Sequence, residues 1–94
     1  FCQNPNYEEL DWPDDYWPPA SQPESKAVFK ESVQAVSDGI DKMGELIQDP
    51  QKNVQKPLAH GDGQTLFREA MLIVDHNAYH VGQIVLIRRL LGSW

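Results

Sequence analysis

Phe29, Val33, Val36, Ile40, Met43 and Ile47 recur at alternating steps of four and three residues, one apolar stripe on a helical period. Lys26, Lys30, Glu31, Asp38, Asp41, Lys42 and Glu45 fall off that stripe and stay wet. The pattern predicts a helix over 21–49. Ser21-Gln22-Pro23-Glu24 has the spacing of a capping box, a hydroxyl with a glutamate three residues on, and places a proline in the first turn. Asp49-Pro50 ends the helix, because a proline disfavours helical backbone in the residue before it. Gly39 and Gly44 each cost about 1 kcal/mol relative to alanine, so this helix depends on packing.

Residues 50–63 are polar, contain Pro57, Gly61 and Gly63, and read as a loop whose end supplies Asp62 or Thr65 as the next N-cap. A second helix is predicted over 64–92, free of proline and glycine until Gly82 and on the order of 40 Å long. At about 100° per residue, one face gathers Leu72, Ile73, His76, His80, Gln83, Ile84, Ile87, Leu90 and Leu91, with Thr65 and Glu69 at the same azimuth. The opposite face gathers Phe67, Met71, Val74, Ala78, Val81 and Val85. Only two narrow seams are polar, Arg68 with Asp75 and Asn77 with Arg88. A helix apolar on two opposite faces has to be sandwiched, and one partner helix covers only one of them. The other face calls for the N-terminal segment, a second copy of the chain, or helices supplied from outside these residues.

The stretch Phe1 to Pro19 carries five of the nine aromatic residues, Phe1, Tyr7, Trp12, Tyr16 and Trp17, with Pro5, Pro13, Pro18 and Pro19 among them. Proline at that density blocks regular structure, while the rings hold too much apolar area to stay in water. The expectation is an extended strap over 1–20, rings packed and the intervening acids solvated. Composition sharpens this. The net charge of −6 comes from 8 Lys+Arg against 14 Asp+Glu, and residues 1–25 hold six acids and no base. Such a balance argues against a nucleic-acid partner, since nothing neutralises a row of phosphates. No apolar run approaches the roughly 20 residues of a membrane span and no basic-then-apolar leader opens the chain, so it reads as soluble, non-secreted and cytoplasmic. Phe1 in place of a methionine suggests a start inside a longer polypeptide or a trimmed one. Cys2 is the only cysteine, so a disulfide framework or thiolate cluster is excluded and any metal must be held by nitrogen or oxygen.

His76 and His80 lie one turn apart and about 40° apart in azimuth, so both imidazoles project from one patch. Two such rings can meet one divalent ion at about 2.0–2.1 Å from each nitrogen. Two ordinary histidines are the bland alternative, but on an inward-turned apolar stripe, imidazoles without partners are costly to bury. In the helical His pair of zinc hydrolases a glutamate general base follows the first histidine; Asn77 stands there, so that reading fails. Asp75 is about 100° away and reads as a solvent-seam carboxylate, and Glu69 is two turns off, roughly 10 Å, too far for the same ion. Gln83, one turn beyond His80, can hydrogen-bond a ring nitrogen or a bound water. Tyr79 reads as packing or an interface hydroxyl, and His60, in its glycine loop, as a turn residue or a contact near the helix start.

The block Asp75-His76-Asn77-Ala78-Tyr79-His80-Val81-Gly82-Gln83 resembles the last-helix signature of the DinB-like (DinB/YfiT-type) metalloenzymes, in which two histidines four apart are followed by a Gly-Gln pair. Cys2-Gln3-Asn4-Pro5, Asp11-Trp12-Pro13-Asp14-Asp15-Tyr16-Trp17-Pro18 and His60-Gly61-Asp62-Gly63-Gln64-Thr65 are similar to one branch of that family. The resemblance implies an all-α fold: two long helices, the third and fourth of a four-helix bundle, preceded by the strap. Residues 1–94 would then be a single partial domain, completed by oligomerisation, with a dimer expected, or by a missing N-terminal segment. It also implies a divalent metal, zinc or nickel, held by three histidines, and a bacterial, stress-related context with thiol-dependent S-transferases among its members. His76 and His80 match the two last-helix ligands; the third would precede Phe1 and has no match here. A metal-dependent transferase acting on a small-molecule thiol is one expectation. A non-catalytic truncated bundle acting through self-association is the other.

Overall fold

The computed structural model describes residues 1–94. It is all-α, with α1 over Lys26–Gln48 and α2 over Leu66–Leu90, and contains no strand. The chain divides into two units, Phe1–Glu45 and Leu46–Trp94.

In the first unit, residues before α1 form tight turns where an extended strap was expected. Backbone amides of Asn4 and Tyr7 donate to the carbonyls of Phe1 and Asn4, and those of Asp15 and Tyr16 donate to Asp11 and Pro13. Asn and Asp side chains support these turns, as such residues do when they compete with regular structure: Asn4 Oδ1 accepts from the Asn6 amide and Asp15 Oδ2 from the Asp11 amide. The rings pack on one another, Phe1 on Tyr7 at 5.8 Å and Trp12 on Tyr16 at 5.3 Å between centroids. Trp12 and Trp17 nonetheless stay 71% and 63% exposed.

Helix α1 begins later than the capping box proposed. Ser25, not Ser21, takes the capping role: its Oγ accepts from the Val28 amide at 3.2 Å, and Ser21, Gln22 and Glu24 lie in bends outside the helix. The hydroxyl that can reach an amide of the first turn sets the start, and the Ser21 spacing satisfied the pattern without that contact. The far end falls where Asp49-Pro50 places it. Phe29, Val33, Val36 and Ile40 share the anticipated stripe and are exposed.

The second unit opens with a loop tied to itself. Asp49 and Asn53 side chains accept from the amides of Gln51 and Gln55, and an isolated antiparallel bridge joins Pro57 to Thr65, with the Leu58 amide on the Gln64 carbonyl at 2.8 Å. Gly63 turns the chain at φ 104°, a conformation glycine adopts without steric cost. Leu46 and Leu66, at the two ends of this segment, are the buried apolar residues of the chain, 8% and 4% exposed. Thr65 caps α2, its Oγ1 accepting from the Arg68 amide at 3.1 Å. At the other end Gly92, at φ 65°, closes the helix: its amide donates to Arg89 and that of Ser93 to Arg88, the double return that satisfies carbonyls left open by a last turn.

Candidate metal centre

Ala78 is the central residue of α2, and His76 and His80 flank it. Their Nε2 atoms approach to 2.9 Å, and the rings meet edge to face with centroids 4.5 Å apart. Without a metal, one nitrogen donates its proton and the other accepts. Two nitrogens at that separation, each about 2.05 Å from an ion, subtend roughly 90° there, and opening to about 3.3 Å gives a tetrahedral angle. The pair therefore fits two adjacent positions of a divalent cation.

It is a pair and not a cage. No group of three or more His, Cys, Asp or Glu side chains is placed to hold a metal, so His60, Asp75 and Glu69 do not complete it. Glu69 instead pairs with Arg68, and Asp75 is exposed in its seam. Gln83 stands one turn beyond His80, but its amide donates to Tyr79 Oη at 2.8 Å and not to an imidazole. Tyr79 in turn lies edge to face with the His80 ring at 5.3 Å. The i, i+4 spacing that unites the histidines also unites Tyr79 with Gln83, a pairing the sequence reading did not single out.

One expectation about the site is corrected. The rings were placed on an inward-turned stripe, yet His76 is exposed and His80 half-buried. The stripe itself is open: Leu72, Ile84, Ile87 and Leu90 on the same face are all exposed. Burial cost therefore does not demand a ligand for these imidazoles, and the metal reading stands on their mutual geometry. Asn77, expected in a polar seam, turns its amide onto the Ile73 carbonyl at 2.8 Å.

No protein family, no curated protein and no solved structure matches this chain. No helix is long and apolar enough to cross a membrane.

Proposed function

We propose that the chain is a metal-binding helical protein of the DinB-like kind, in which His76 and His80 hold a divalent cation, zinc or nickel, for chemistry on a small thiol. The observation that carries this reading is the 2.9 Å approach of the two Nε2 atoms on successive turns of one helix. The four separated sequence blocks similar to that family add the substrate class. A bound cation with an open position supplies Lewis acidity that lowers the pKa of a ligated water or thiol. The chain's own part is to present two imidazoles from one rigid element, His80 lying beside the Tyr79 ring that Gln83 engages through its hydroxyl. The test is calorimetric titration of the full chain with zinc and with nickel, wild type against His76→Ala. At least a roughly tenfold loss of affinity is expected, since even residues that only orient a ligand are worth that much. Equal affinities dispose of the site.

A second reading, a non-catalytic module that works by self-association, draws on a different observation: α2 exposes large apolar residues on opposite faces, Met71 and Val81 as well as Leu72 and Ile87. Chromatography with and without EDTA separates the two, since a dimer indifferent to chelator needs no metal.

A further inference from the structure

We infer that a second copy of this chain completes the coordination, two α2 helices crossing antiparallel at the level of Ala78, on the face that His76 and His80 share and opposite the Ala78 side chain, so that His76 and His80 of both copies surround one cation. The inference rests on the metal-binding part of the reading above and does not need its thiol chemistry.

Three observations converge on it. The first is an incomplete ligand set: two nitrogens at 2.9 Å, with no third ligating side chain in the chain placed to join them. Zinc takes four ligands in its closed sites, and neutral imidazoles can fill all four positions.

The second is position. The pair sits symmetrically about Ala78, with twelve residues of α2 on either side. A two-fold axis through that point is the one that brings all four rings together, and closed two-fold dimers are the commonest assemblies. The same axis sets Leu72 against Ile84 of the partner subunit. The exposed apolar residues that flank the histidines are thus apposed one turn beyond the imidazoles on either side. Leu72 is 46% and Ile84 56% exposed in the single chain.

The third is charge. Leu46–Trp94, the unit that carries α2, holds five basic and four acidic side chains. Two such units meet without strong repulsion even though the whole chain is acidic.

The experiment is sedimentation equilibrium of the full chain in EDTA and in zinc chloride, with calorimetric stoichiometry on the same samples. One zinc per two chains is expected, with dimerisation at least about tenfold tighter in zinc, roughly 1.4 kcal/mol, and reversed by chelator. Ile84→Glu, an exposed position that leaves the histidines intact, should weaken the zinc dimer by at least about tenfold with unchanged helicity by circular dichroism. One zinc per chain on a monomer overturns the shared site while leaving the His76–His80 pair as a ligand. No zinc uptake overturns both readings. A dimer equally tight in EDTA and zinc, or in Ile84→Glu and wild type, overturns the arrangement proposed here.

Discussion

The Tyr16 phenol has its ionisation displaced upward from the ordinary tyrosine value of 10.0, chiefly by its hydrogen bond with Tyr7, with desolvation and the negative charges of Glu9 and Asp15 acting in the same direction. A raised folded-state value means that folding favours the neutral phenol. Its contribution is therefore complete below the unfolded tyrosine pKa and is lost as pH rises through the folded one. A phenolate absorbance titration is expected to find one tyrosine ionising above a free tyrosine, and Tyr7→Phe to bring it down. An unmoved titration would leave desolvation and the charges of Glu9 and Asp15 as the cause. At this scale the His76–His80 pair was legible because i, i+4 spacing alone fixes the approach of two side chains on a helix. Their exposure was not legible, since periodicity shows which residues share a face and not whether anything lies on it. The Gln83 contact was missed for a related reason: Tyr79 is one turn before Gln83 and offers its amide a hydroxyl that spacing alone does not rank against an imidazole.

The two helices differ in how their ends are held, and substitution at those ends gives separate readouts. Thr65→Ala removes the oxygen that accepts from the Arg68 amide and should cost about 1 kcal/mol, read as a lower thermal midpoint by circular dichroism, with Thr65→Ser close to wild type. Gly39→Ala should do the opposite. A Cβ there meets nothing within 4 Å, so the helix gains up to about 1 kcal/mol from a better helix former; a loss would show that a partner lies against that position. Both helices were legible, in existence and nearly in length, because α1 carries one stripe and α2 no breaker before Gly82. The start of α1 was displaced because Ser21 and Ser25 both offer a hydroxyl, and the residues between them satisfy the capping pattern without making the bond. The Gly92 closure could have been found: a glycine just past Arg88, Arg89, Leu90 and Leu91 is the ordinary signature of a helix end.

Charge is distributed across the whole molecule so that association and repulsion belong to different parts of it. Phe1–Glu45 holds ten acidic and three basic side chains, while Leu46–Trp94 is nearly neutral and carries the histidines and the open apolar faces of α2. A second copy meeting α2 therefore brings another strongly acidic segment with it, and the repulsion between those segments opposes apolar burial. Salt acts on the two unequally. Raising ionic strength from about 0.01 M to about 0.15 M shortens the screening length from about 30 Å to about 8 Å, which suppresses the repulsion between acidic segments while leaving apolar contact and imidazole ligation nearly intact. Self-association of this chain should accordingly tighten with salt, in sedimentation equilibrium at fixed zinc. Weakening with salt would mean that the copies are held by ion pairs and not by the apolar face that His76 and His80 share with Leu72 and Ile84.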